Sequence, residues 1–297
     1  MDATQVANLG ERKMILITGA SGSVGREVVR EVQKTGEAFC AMYRSEKEAA
    51  KAPAGRNTVI ADFGDAASLL SALQGVDRVY LVCSPIQELV QLEGNAIDAC
   101  KKAGVKRIVL NSALGAGDYD KSFPGWHRKV EDKLKASGIE CVILRPNGFM
   151  QNTITYLAPS IKAQGVFYDA MGTAKTSYID VRDVAAVAAQ TLTTEGHAGK
   201  IYELNGPEAI TQDDLAKRIA AKSGREVKHV NIPREAHEKA MLDLGMPAWQ
   251  VTALIELQDY YVSGRAAAVD GVVGKVLGKP ARTMDAFLTE YANEFRA

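Results

Sequence analysis

Net charge is missing from this chain: its 297 residues carry 36 Lys and Arg against 36 Asp and Glu. Affinity for polymeric phosphate rests on concentrated basic side chains, so this balance argues against a nucleic-acid binder while leaving room for one local anion site. No run of about 18 apolar residues occurs, which removes a membrane helix. The first residues, MDATQVANLGERK, place an Asp early and lack the apolar stretch of a leader. A cytoplasmic protein is expected.

Cysteine and histidine are scarce. Cys40, Cys83, Cys100 and Cys141 lie far apart, with no CxxC and no histidine at metal-ligand spacing. Three of them sit in the apolar runs EAFCAMY, VYLVCS and IECVIL, where Cys acts as a small hydrophobe in a reducing compartment. His197, His229 and His237 are isolated in sequence, and no GxSxG nucleophile elbow is present. Metal and serine-nucleophile chemistry are both unsupported.

What is present is an alternation. MILIT, AFCAMY, TVIAD, RVYLVC, RIVLN and CVILRP are short, mostly β-branched or aromatic runs bounded by turn residues, and they predict six buried strands. Helical stripes lie between them: Val24, Val28, Val29 and Val32 in one, Ile86, Leu89, Val90 and Ile97 in another, with Gly36 and Gly104 placed for C-caps. Buried strands alternating with helices predict an α/β fold with a doubly wound parallel sheet. The rhythm changes near residue 150. A return at YIDVRDVAAVAAQTL and IYEL predicts a nucleotide domain of 13–152 plus 176–204, and a smaller, mostly helical domain of 153–175 plus 205–297. Thr211 opens a helix with the capping-box-like TQDD.

MILITGASGSVGREVV places Gly19, Gly22 and Gly25 between the first strand and a helix. Glycines there let the backbone turn tightly and approach a pyrophosphate, met by the helix N–H groups and dipole. Gly19, Ala20, Ser21, Gly22, Ser23, Val24 and Gly25 are therefore the expected dinucleotide turn. At the tip of the second strand, where a carboxylate would hold the ribose of NAD, stands Arg44, followed by Ser45 and Lys47. A guanidinium pairs with phosphate through its planar fork, so NADP(H) is favoured, although a solvated loop arginine has the same pattern. Asp62 and Phe63 end the third strand and suit adenine, whereas Asp65 suits a helix N-cap. Cys83, Ser84 and Pro85 end the fourth strand beside the expected dinucleotide path, with Pro85 also able to start the next helix.

Together, ITGASGSVG, the Arg44 position, ADFGD, Asn111-Ser112-Ala113, LRPNGFMQN, TSYIDVRDVA and IYELNGPEAIT resemble the NmrA-like branch of atypical short-chain dehydrogenases/reductases. The similarity runs over nearly the whole chain from Lys13 and is greatest to the quinone oxidoreductase type 2 and triphenylmethane reductase group. It implies an NADP-binding Rossmann domain, with a small C-terminal domain over the nicotinamide. It also adds Asn111, Ser112, Ala113, Pro146, Asn147 and Phe149 to the cofactor-binding set, and a homodimer as an expected assembly.

The chain departs from ordinary short-chain dehydrogenases in one respect. Those enzymes protonate a developing alkoxide with the tyrosine of a YxxxK pair on the helix after the fifth strand. Here that helix reads PGWHRKVEDKL, and the one YxxxK, Tyr43 to Lys47, lies at the adenosine end. His127 stands about where the tyrosine would, one turn before Glu131; it could bind substrate or donate a proton, or be a surface histidine paired with Glu131. General acid catalysis contributes on the order of 10²–10⁴-fold, so unactivated ketones are poor candidates. A quinone or other electron-poor conjugated acceptor can take hydride first and its proton from water. Trp126, His127, Phe149, Met150 and Tyr156 are the candidate substrate-pocket residues, with Phe167 and Tyr168 as further aromatics, though any may be core. The expected function is an NADPH-dependent reductase of small conjugated acceptors. The alternative is a noncatalytic NADP(H)-binding redox sensor acting through a protein partner; a nucleotide-sugar epimerase is disfavoured by the same missing tyrosine.

Overall fold

The structure is a computed structural model that describes residues 14–53 and 57–296. Lys13 and the N-terminal segment, read above as lacking a leader, lie outside the described residues, as does the final residue of the second expected domain.

All six predicted strands form: β1 (Met14–Ile17), β2 (Phe39–Tyr43), β3 (Thr58–Ile60), β4 (Val76–Leu81), β5 (Arg107–Asn111) and β6 (Glu140–Pro146). Between them run α1 (Ser23–Thr35), α2 (Glu46–Ala49), α3 (Ala66–Ala72), α4 (Leu89–Ala103) and α5 (Ser122–Ala136). With β8 (Ile201–Leu204), the strands make a seven-stranded sheet in the order β3-β2-β1-β4-β5-β6-β8. The pairings from β3 through β6 are parallel. Order reverses at β1, which lies between β2 and β4; in open parallel sheets that is where ligands bind. Thr18 pins this point, its Oγ1 donating to the Tyr80 carbonyl at 3.0 Å and accepting from the Val82 N–H at 2.9 Å.

Local sequence explains the helix ends. Val24, Val28, Val29 and Val32 are buried along α1, which stops where Gly36 takes left-handed φ; Gly104 does the same for α4. Pro85 does not begin α4, since the chain turns through Ile86 and the helix starts at Leu89.

Packing divides the chain into two compact units. The first takes the described residues up to Ser112, with Lys129–Leu144 and Ala185–Tyr202; the second takes Ala113–Arg128, Arg145–Val184 and the chain from Glu203. These limits differ from 13–152 plus 176–204. The loops after β5 and β6 bond within the second unit, Leu114 N–H to the Pro146 carbonyl at 3.0 Å and Met150 N–H to the Ile179 carbonyl at 2.9 Å.

The second unit contains a one-turn π-helix (Thr153–Leu157), α6 (Ala158–Gln164), β7 (Val166–Asp169), the start of α7 (Val181–Thr193), α8 (Gln212–Ser223), β9 (Lys228–Asn231), α9 (Arg234–Asp243), α10 (Ala248–Val262), α11 (Val272–Leu277) and α12 (Met284–Glu290). It is mostly helical, as expected, with one addition: β7 and β9 pair in parallel. The Thr211 capping box at α8 is present in both directions. Its core includes Met150, Ile161, Phe167, Leu215, Ile219 and Phe287. Among the described residues, no helix is long and apolar enough to cross a membrane.

Candidate cofactor and acceptor site

In the first unit, the glycine turn closes on itself. A Cβ on Gly25 would stand 2.1 Å from the Gly19 carbonyl oxygen, and Gly19 combines a φ of +59° with a Cβ position 2.7 Å from Val82 Cγ1. No side chain larger than hydrogen fits at Gly25 without moving backbone, and at Gly19 one would meet both a left-handed φ and the Val82 side chain. The N-terminus of α1 that follows has Gly22 as N-cap, no side-chain cap and no acid in its first turn. Its positive dipole end and N–H groups are thus left for an external anion, with Ser21, Gly22 and Ser23 exposed around it. Ala20 and Val24 are buried and brace the turn from behind. These residues fit a dinucleotide pyrophosphate.

Arg44 projects from the tip of β2 with its side chain 72% exposed and a 3.8 Å contact to Glu48. Ser45 caps α2, and the Glu48 carboxylate also takes the Ser21 hydroxyl at 3.4 Å. Glu48 was not singled out in the sequence, because an acid one turn into a short helix reads as a solvated charge. Asp65 caps α3, accepting from Ala67 and Ser68 N–H groups. One Asp62 oxygen accepts the Gly64 N–H at 2.7 Å, while Phe63 is buried and its carbonyl accepts from Asn95. Phe63 therefore offers little face to a ring.

At the end of β4, Ser84 and Pro85 are exposed and Cys83 is half-buried. Burial pushes the Cys83 thiol up to about 12, the Glu93 charge adding to it, so it is no nucleophile. Glu93 itself is fully buried in α4. Neither of its oxygens has a hydrogen bond of ordinary geometry among the described residues, and burial pushes its carboxyl up to about 8. The Cys83 N–H, which opposes this shift, does not offset burial. Sequence reasoning missed Glu93, yet its register was a signal: Leu89, Glu93 and Ile97 fall four apart on the buried stripe.

Two expected cofactor residues beyond β4 spend their side chains on the fold. Asn111 accepts from the Tyr80 hydroxyl at 3.1 Å, and Ser112 donates to Glu131 at 2.6 Å. Ala113 is half-buried.

In the second unit, Asn147 donates its amide to Asn205 Oδ1 and to the Ala266 carbonyl, each at 2.9 Å, and accepts the Gly148 N–H at 2.8 Å. It orders the loop after β6. Pro146 is buried, its carbonyl holding Leu114, while Phe149 and Trp126 are half-buried, Trp126 edge-on to Phe123 and 6.2 Å from the Trp249 ring. Tyr156 is 69% exposed, and Tyr168 is exposed on β7. Met150 and Phe167 are sealed in the core: for Met150, whose N–H pairs with the Ile179 carbonyl, this corrects the expected pocket role, and Phe167 takes the core alternative left open for it. His127 is buried rather than a surface histidine. Asp180 and Asp183 are structural, Asp180 bonded to Arg182 and Gln151 and Asp183 to Arg282. His229 bridges Asp169 and Asp213, His237 meets Gln258, and His197 meets Tyr202. No group of metal-ligating side chains occurs among the described residues.

A model of the NmrA-like family matches residues 11–288. The NAD(P)H azoreductase of Xenophilus azovorans is 36% identical over 286 residues, 96% of this chain and all of that one. Quinone oxidoreductase 2 of Escherichia coli K12 is 34% identical over 275 residues, 91% of this chain and 96% of that one. A crystal structure of the Escherichia coli NADPH-dependent quinone oxidoreductase in complex with NADPH superposes with a TM-score of 0.87 at 32% identity, covering 94% of this chain and 99% of that chain. The Citrobacter triphenylmethane reductase in complex with NADP(H) shares the fold, with a TM-score of 0.84 at 22% identity, covering 94% of this chain and all of that one.

Proposed function

This chain belongs to the NmrA-like family and is an NAD(P)H-dependent oxidoreductase of small aromatic or quinone-like acceptors; from that premise we propose that it uses NADPH and reduces quinones or related electron-poor conjugated compounds. The observation that carries the cofactor half is the pairing of an uncapped α1 N-terminus behind a turn that admits only glycine at 19 and 25 with a guanidinium, not a carboxylate, at the tip of β2. Gly19 to Gly25 would hold the pyrophosphate and Arg44 the 2'-phosphate. Bound there, the dihydronicotinamide supplies hydride chemistry.

The acceptor half follows from what the protein does not present. Cys83 holds its proton, α5 has no tyrosine, and no metal-ligating cluster occurs among the described residues. An acceptor reduced here needs positioning and a place for its charge rather than an aggressive acid. A quinone, or an azo compound such as the name of the azoreductase relative indicates, meets that description. The test is NADPH oxidation against a panel of quinones and azo dyes. Saturable turnover supports the proposal, whereas tight NADP binding with no turnover on any acceptor would point to a redox sensor.

A further inference from the structure

Within the first unit, helix α4 holds the chain just past both β3 and β4. Asn95 Nδ2 donates to the Phe63 carbonyl at 2.9 Å, and two residues earlier the buried Glu93 carboxyl faces the Cys83 N–H. The glycine turn packs on the same stretch. Thr18 Oγ1 accepts the Val82 N–H at 2.9 Å, and a Cβ on Gly19 would stand 2.7 Å from Val82 Cγ1. The turn thus rests on Val82 while Glu93 meets the next residue, which puts the carboxyl on the order of 10 Å from the turn. The charges of Glu93, Arg44 and Asp62 all act on the Cys83 thiol, so α4 and the ends of β2, β3 and β4 converge there.

Glu93 is poorly suited to a purely structural role. A carboxyl buried with no ordinary hydrogen bond on either oxygen costs stability that an apolar side chain of similar volume would not. From β4 it is faced by the Tyr80 phenol and the Cys83 thiol, both of which burial keeps protonated. Helix α3, packed against α4, carries no charged residue. From α5, Lys133 lies along Gly94 with its ammonium on Asp98 at 2.7 Å. Burial pushes the Glu93 carboxyl up to about 8, so it changes charge close to neutral pH.

Resting on the cofactor reading above, we propose that Glu93 couples one proton to dinucleotide binding: the phosphates are accepted while its carboxyl is neutral and opposed once it is charged. As the dinucleotide enters, the carboxylate takes a proton from the buffer and an O–H bond forms; nothing is oxidised or reduced. Two negative charges separated by a low-dielectric wall are screened little by salt. Bound phosphate therefore favours the neutral carboxyl, and the pKa of Glu93 is higher in the complex than in the free protein. Affinity is full below the free-protein value and falls as pH rises from that value to the one in the complex.

The test is calorimetric titration of the full chain with NADPH in two phosphate-free buffers of different ionisation enthalpy, for wild type, Glu93→Gln and Glu93→Leu. For a rise of one unit on binding, wild type should take up about 0.4 proton per NADPH at pH 8, and its Kd should increase about five- to tenfold from pH 7 to pH 9.5. Both variants, uncharged throughout, should take up less than about 0.1 proton and hold Kd within about twofold over that range. The 2'-phosphate does not interfere, because its second ionisation lies near about pH 6. Binding by wild type without proton uptake overturns the coupling even where a variant fails to fold, and so does equal uptake in wild type and either variant. Absence of NADPH binding by wild type at every pH overturns the cofactor reading instead.

Discussion

The Ser112 hydroxyl donates to the Glu131 carboxylate at 2.6 Å, and both residues are buried. Glu131 also receives Lys135 at 3.3 Å, so the end of β5 is tied to a buried charge on α5. Ser112 therefore serves the fold through its side chain. Ser112→Ala should cost about 1–3 kcal/mol in urea unfolding, since it strips a donor from a buried carboxylate. NADPH affinity should stay within about twofold; a large loss of affinity at unchanged stability would contradict this.

Glu93 links stability to pH. Its carboxyl titrates near 4.5 when unfolded and near 8 when buried. Between those values the unfolded chain has released a proton that the folded chain retains, so stability falls as pH rises through this window and levels off above it. Glu93→Gln, neutral at every pH, should raise the melting temperature relative to wild type by an amount that grows from pH 5 to pH 8. A difference that does not vary with pH would exclude this origin.

Arg44 should govern the choice between cofactors. Charge reversal in Arg44→Asp should weaken NADPH about 30-fold or more at low salt, with NADH affected less than about threefold. Equal losses for both cofactors would remove Arg44 from the 2'-phosphate.

Gly25 admits no side chain, because a Cβ there would overlap the Gly19 carbonyl. Gly25→Ala must open the turn, and isothermal titration should show at least about a hundredfold loss of NADPH affinity. Affinity near that of wild type would mean the turn does not cradle the pyrophosphate.

The nucleotide-binding half was legible because its signals are local. Short apolar strand runs bounded by turn residues, the stripe on α1, left-handed Gly36 and Gly104, and the Gly19-Gly22-Gly25 spacing each act within a few residues. The second unit was less so. Nothing near Phe167 announces its pairing through β7 with a strand some 60 residues away, and nothing local to Met150 announces that its N–H bonds to the Ile179 carbonyl with its side chain in the core. Glu93 was the exception: its register on an apolar stripe was visible, but an acid in a helix is ordinarily solvated.

The most direct test is an anaerobic single turnover in which NADPH, with hydrogen or deuterium at its transferring position, is mixed with excess protein and a quinone. The proposed function predicts one quinone reduced per NADPH and a slower reaction with deuterium. Tight NADPH binding with no oxidation in the presence of any acceptor would contradict it.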